Sequence, residues 1–139
     1  MSYNLEFDLE QVLPFVQARV SGFPRVEGMR AIGLRRRGEL IAGVVFEGFN
    51  GQNIWMHVGA ASGGRWLTRT YLRACFGYAF GVCGVQRVSG YVEANNAASS
   101  RFCVHLGFRE EARLKGAAKD GGDILLYVMW RKDCPYVDV

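Results

Sequence analysis

Three side chains in this sequence could act as bases, and each lies in or beside a segment with the pattern of a β-strand. His57 lies in the apolar run 54–59, and its neutral imidazole could accept a proton directly or through water. Glu47, on the preceding run, and Glu93, at the end of a later one, are rival carboxylate bases. A single histidine in a strand is equally compatible with a structural or solvent-facing role, so all three remain candidates.

A loop of small residues precedes the next amphipathic segment. Apolar residues recur at helical spacing over 66–80, which predicts a helix that opens directly from this loop. Backbone N–H groups at the start of a helix bind phosphate, and glycine lets an anion approach the main chain. The alternative is an ordinary turn. The candidate anion-binding residues here are Gly63, Gly64, Arg65, Trp66, Leu67 and Arg69.

A second junction between a strand and a helix follows at residues 87–107. The run 87–92 is extended in character, Asn95 or Asn96 can cap a helix, and Gly107 can end it. Such an abrupt junction leaves backbone groups unpaired beside an open sheet edge, where a ligand can use them.

The remaining elements follow from periodicity. Asp8 is expected to cap an amphipathic helix that continues to Val20, with Pro14 loosening its first turn. Arg37-Gly38 is expected to join two antiparallel strands as a hairpin. The connection through the helix at 66–80 predicts a parallel pair. The predicted strands are a weakly marked one at 5–7 and clear ones at 31–36, 39–49, 54–59, 85–92, 108–116 and 124–132.

Size and composition indicate one ordinary globular domain over residues 1–139. The formal charge of +4 comes from scattered basic residues, and the dense run 35–37 fits a solvated turn better than a nucleic-acid patch. The four cysteines lack metal-binding spacing, so we expect reduced thiols and no metal. With no membrane-spanning run and no signal-like start, we expect a soluble, cytoplasmic protein.

The second junction carries a family resemblance. The order strand, Asn96-x-x-Ser99, aromatic Phe102, then Leu106-Gly107-Phe108 resembles the carboxyl-terminal half of GNAT-type N-acetyltransferases. It is most similar to the ribosomal-protein N-acetyltransferase branch and to small phage or prophage members. The resemblance implies an α+β fold with a mixed six- to seven-stranded sheet, helices on both faces, and acetyl-CoA as cosubstrate.

The resemblance also implies roles for individual residues. Asn96 would bind the pantetheine arm beside Phe102, and backbone N–H groups of Val58, Gly59 and Ala60 would stabilise the oxyanion. Acetyl transfer would be direct, with Ser99 as the preferred proton donor and also a cofactor contact. Cys103 occupies the position where many relatives carry a tyrosine acid.

This chain departs from the family pattern in the phosphate loop, since Gly63 and Gly64 precede Arg65. Two functional hypotheses therefore stand. The first is an N-acetyltransferase that acts on a primary amine of a small molecule or protein, and the second is an inactive GNAT-like domain that binds a protein or nucleic acid. A monomer and a homodimer are both allowed. Acceptor specificity is expected from residues 23–29 and 119–123.

Overall fold

Seven strands form one mixed sheet in the computed structural model, which describes residues 2–20, 23–63 and 66–138. The strand order is β1-β2-β3-β4-β5-β7-β6, and β4 and β5 are the one parallel pair among the pairs formed by these residues. The strands are β1 (Tyr3–Glu6), β2 (Arg30–Arg36), β3 (Glu39–Glu47), β4 (Asn53–Ala60), β5 (Arg87–Glu93), β6 (Arg109–Leu114) and β7 (Ile124–Trp130).

Helices cover both faces of this sheet, as expected. On one face, α1 (Leu9–Gln17) packs through Val12, Leu13 and Val16 against β2 and β3. The other face carries α2 (Arg69–Phe76), the π-helical segment Gly77–Val82 that continues it, and α3 (Ala97–Leu106). A short 3₁₀ turn, Arg131–Asp133, follows β7. The predicted α+β fold with helices on both faces is confirmed.

A row of glycines crosses the sheet beneath α1. Gly33 of β2 lies opposite Gly43 of β3, which lies opposite Gly59 of β4. A Cβ atom at position 43 would lie 2.7 Å from Val16 Cγ2 and 2.8 Å from Val12 Cγ1, and one at position 59 would lie 3.2 Å from Val16 Cα. The absence of side chains in this row therefore allows α1 to lie close against the sheet.

Local sequence features correctly predicted several element ends. Asp8 caps α1 by accepting a hydrogen bond from the Glu10 N–H, and Asn96 caps α3 in the same way through Ser99. Arg37 and Gly38 have φ values of 52° and 82°, the conformation of a type I′ hairpin turn. Gly107, with φ of 114°, ends α3.

Two helix boundaries differ from the prediction. The first helix ends at Gln17 rather than Val20, and Pro14 is accommodated inside it. The second begins at Arg69 rather than Trp66, because the Thr68 side chain accepts a hydrogen bond from the Tyr71 N–H and caps it there. The apolar spacing included Trp66 because its side chain is buried, although the residue lies before the helix.

Candidate functional site

The site originates where the parallel pair β4 and β5 separates. Their paired positions are Asn53 with Arg87, Ile54 with Val88, and Trp55 with Ser89, while both strands continue further along the chain. Beyond Trp55 the strands diverge and bound a cleft of about 340 Å³, which we call the strand cleft. Met56, His57 and Val58 line it from β4, and Tyr91, Val92 and Glu93 line it from β5.

The divergence exposes main-chain groups of β4 to the strand cleft. The N–H of Ala61 donates to the carbonyl of Ile41 in the ladder with β3. Because such bonds alternate along an antiparallel strand, Gly59 also bonds β3, whereas Val58 and Ala60 direct their N–H and C=O groups toward the cleft side. Of the predicted backbone donors over 58–60, Val58 and Ala60 therefore point away from β3, and Gly59 points toward it.

The amino-terminal end of α3 forms the far wall of the strand cleft. Asn96, Ser99 and Phe102 line it, together with Cys103. The Asn96 side-chain oxygen accepts the Ser99 N–H at 3.1 Å, so Asn96 does cap the helix, and its amide N–H groups are the donors left for a ligand. Capping and ligand binding are thus compatible roles of one side chain.

His57 lies between two aromatic rings and a carboxylate. Its ring stacks on Phe23, with centroids 4.0 Å apart and planes 3° apart, and meets Tyr91 edge-on at 5.6 Å. His57 Nε2 lies 2.5 Å from Glu47 Oε2. His57 is 6% exposed, and this burial lowers its pKa, while Glu47 acts in the opposite direction.

The tautomer of His57 follows from these contacts. The lowered pKa favours the neutral imidazole at pH 7. A neutral ring must place its proton on Nε2 to donate to the Glu47 carboxylate, which leaves the lone pair on Nδ1. His57 is therefore arranged as a proton acceptor that a carboxylate orients.

A second pocket, of about 600 Å³, adjoins the strand cleft at His57. His57, Tyr91 and Glu93 line both spaces, so these three residues form the shared wall. We call the second space the aromatic pocket, because Phe23 and Trp55 also line it, and Glu47 reaches it from β3. The side chains of these three residues can thus contact a group in either space.

The residues of the predicted phosphate loop lie in different surroundings. Gly64 and Arg65 lie outside the described residues, and Gly63 is part of an exposed turn. Trp66 is buried and packs on Phe102, with ring centroids 4.9 Å apart. Leu67 packs against the core on the α2 side, and the Arg69 guanidinium donates to the Pro135 carbonyl at 3.5 Å.

Three side chains in the strand cleft could hold a proton for a leaving group. Ser99 and Cys103 were candidates from the sequence, and burial raises the pKa of the Cys103 thiol to about 11. Tyr91 was not predicted, although its place two residues before Glu93 puts both side chains on one face of β5. Burial raises the pKa of Tyr91, and the charges of Glu47 and Glu93 add to the effect.

Several other side chains lie away from this wall. Arg101 and His105 are exposed on α3, so His105 is not placed to pair with Cys103. The four cysteines are free.

Within residues 2–20, 23–63 and 66–138, no three acidic, histidine or cysteine side chains are grouped to hold a metal ion. No helix in that part of the chain has the length and apolarity needed to cross a bilayer.

Comparison with known proteins identifies the fold. No family model and no curated protein sequence matches the chain. A mutant form of the spermidine/spermine N-acetyltransferase SpeG from Vibrio cholerae superposes with a TM-score of 0.75 at 12% identity, covering 94% of this chain and 96% of that one. SpeG in complex with manganese ions gives a TM-score of 0.73 at 14% identity, with 92% of each chain covered.

A probable acetyltransferase is also similar, with a TM-score of 0.65 at 18% identity. The matched region covers 76% of this chain and 63% of that one. The fold is therefore that of GNAT-type acetyltransferases. At such identities the similarity establishes the fold alone, and the chemistry has to be argued from the site.

Proposed function

We propose that the protein is an N-acetyltransferase that moves an acetyl group from acetyl-CoA directly to a primary amine. The observation that carries the proposal is the separation of β4 from β5, which directs the Val58 main chain into a cleft that His57 also lines. Acetyl-CoA would supply a thioester as the acetyl donor. Asn96, which lines the cleft, offers side-chain N–H donors to hold its amide-containing arm.

The chain's own residues account for the proton movements. His57 Nδ1 would take a proton from the attacking amine, while Glu47 stabilises the imidazolium that results. The N–C bond forms, the C–S bond breaks, and the departing sulfur takes a proton from a donor in the cleft. The proton that His57 removed from the amine then returns to that donor, directly or through water, so that the two proton transfers balance. Ser99, Cys103 and Tyr91 line the cleft from which the proton for the sulfur must come.

The N–H groups that face the strand cleft suit the charge that develops on the thioester oxygen. Such preorganised donors typically contribute about 3–4 kcal/mol to lowering a barrier. Val58 directly follows His57, so the donor and the base lie on consecutive residues of β4. Glu93 is a second carboxylate at the shared wall and would attract the ammonium form of the acceptor before it is deprotonated.

Binding and transfer are tested separately. Acetyl-CoA at about 100 times its dissociation constant should stabilise the protein by about 2.7 kcal/mol, seen as a rise in melting temperature. Release of free thiol from acetyl-CoA with a panel of primary amines measures transfer. No stabilisation at millimolar acetyl-CoA would refute the proposal and favour an inactive domain that binds another macromolecule.

The two histidines provide a matched pair of variants. His57→Ala should retain acetyl-CoA binding and lower kcat/KM by about 10²- to 10⁴-fold, the usual contribution of a general base. His105→Ala removes the exposed imidazole on α3 and should leave both properties unchanged. Wild-type turnover in the His57 variant would exclude His57 from the mechanism.

A further inference from the structure

The aromatic pocket has walls of a distinct chemical character. Trp55 and Tyr91 meet edge-on with ring centroids 6.3 Å apart, and Phe23 stacks on His57 beside them. Leu114, Ile124 and Leu126, from the β6–β7 hairpin, continue the wall in aliphatic side chains. A volume of about 600 Å³ is in the range of pockets that hold small organic molecules.

The charges in this pocket are concentrated at one place. Glu47 and Glu93 both line it, and His57, which both spaces share, lies against Glu47. The one cation among the described lining residues is Lys119, an exposed residue of the loop between β6 and β7. An ammonium group is therefore favoured beside the two carboxylates and the aromatic faces, and an apolar group is favoured along the hairpin.

We propose that the acceptor is a small primary amine with one ammonium group and an apolar, arylalkyl or alkyl body, an inference that rests on the proposed acetyltransferase function. The ammonium lies beside Glu47 and Glu93, within reach of His57. The body lies between Trp55 and the β6–β7 hairpin. A polyamine fits this pocket poorly, because its other ammonium groups would be placed against aliphatic walls without partners.

The test compares 2-phenylethylamine, hexylamine and spermidine as acceptors in the presence of acetyl-CoA. We expect kcat/KM for the first two to exceed that for spermidine at least tenfold. Equal or better use of spermidine would overturn the inference and leave the acetyltransferase function intact.

Calorimetric titration of 2-phenylethylamine into the protein without acetyl-CoA separates the pocket from the reaction. Binding at millimolar or lower concentration, with no acetylation of any amine, would support the ligand class and refute the transferase. No binding and no acetylation of 2-phenylethylamine would overturn the inference. Spermidine should show weaker binding than 2-phenylethylamine in the same experiment.

Two edge-strand leucines provide a matched pair of variants. Leu114 on β6 is 44% exposed and lines the pocket, whereas Leu5 on β1, at the opposite edge of the sheet, is 36% exposed. Leu114→Gln should raise the KM for 2-phenylethylamine about tenfold, because the loss of an apolar contact in a pocket weakens substrate binding by about that factor. Leu5→Gln should leave this KM unchanged. Equal effects of the two substitutions would place the apolar body elsewhere.

Discussion

Substitution of alanine for Gly43 tests how closely α1 must lie against the sheet. The new Cβ would lie 2.7 Å and 2.8 Å from methyl groups of Val16 and Val12, well inside the 3.5–4.0 Å at which carbon atoms attract. Valine side chains in a helix have one strongly preferred rotamer, so they cannot swing aside cheaply. Either α1 moves away from β3 or the valines become strained.

The expected loss of stability can be stated in advance. Overpacking a core by one methyl group costs about 1–3 kcal/mol. With an unfolding entropy of about 2.1 cal/mol/K per residue, each kcal/mol corresponds to about 3–4 °C for a chain of 139 residues. Gly43→Ala should therefore lower the melting temperature by about 3–10 °C, measured by circular dichroism and by urea unfolding.

Gly77→Ala provides the control. Gly77 has a helical φ of −63°, and a Cβ there meets no atom within 4 Å, so alanine should leave stability unchanged or raise it by about 0.5–1 kcal/mol. Val16→Ala combined with Gly43→Ala should cost at least 0.5 kcal/mol less than the sum of the two single substitutions, because it removes the nearer contact. Strict additivity, or equal stability of the two glycine variants, would refute this account of how α1 packs.

Two further predictions concern the proposed site. If neutral His57 is the base, kcat/KM falls as the pH drops through the lowered pKa of His57. Glu47→Gln should shift this fall to lower pH, because it removes the group that raises the pKa of His57. A shift to higher pH in the pH–rate profile would contradict the assignment. Asn96→Asp keeps an oxygen for the Ser99 N–H but loses the amide donors, so it should weaken acetyl-CoA binding in calorimetry and keep the melting temperature. Asn96→Ala should lose both, with a stability cost of about 1 kcal/mol; unchanged affinity in the Asp variant would restrict Asn96 to capping.

The sequence predicted most of the fold because its strongest features are local. A cap such as Asn96 or a hairpin such as Arg37-Gly38 depends on residues within one turn, and the structure confirms both. The start of α2 was misplaced because Trp66 continues the apolar period while Thr68 sets the boundary. Local patterns thus identify helices and strands well. They predict the end of a helix only where the capping residue and the apolar spacing indicate the same boundary.

The site was harder to predict because it depends on pairing between distant segments. His57 and Glu47 were each candidates, but their contact requires the register of β3 against β4, which places Glu47 opposite Trp55 and next to His57 across the sheet. Tyr91 was missed because nothing in its neighbourhood distinguishes a strand tyrosine at a cleft from one in a core. The point at which β4 leaves β5 has no marker in either strand's own sequence.

That point of separation determines what β4 can offer a ligand. Even-numbered residues of β4 direct their main-chain groups toward β5, and odd-numbered ones direct theirs toward β3. If the parallel pairing continued for a few more residues, the N–H of Val58 would bond β5 and face no cleft. Because pairing stops after Trp55, a free main-chain donor at Val58 directly follows the side chain of His57. The proposed proton acceptor and the proposed oxyanion donor are thus adjacent residues, whose placement depends on strand register rather than on any loop.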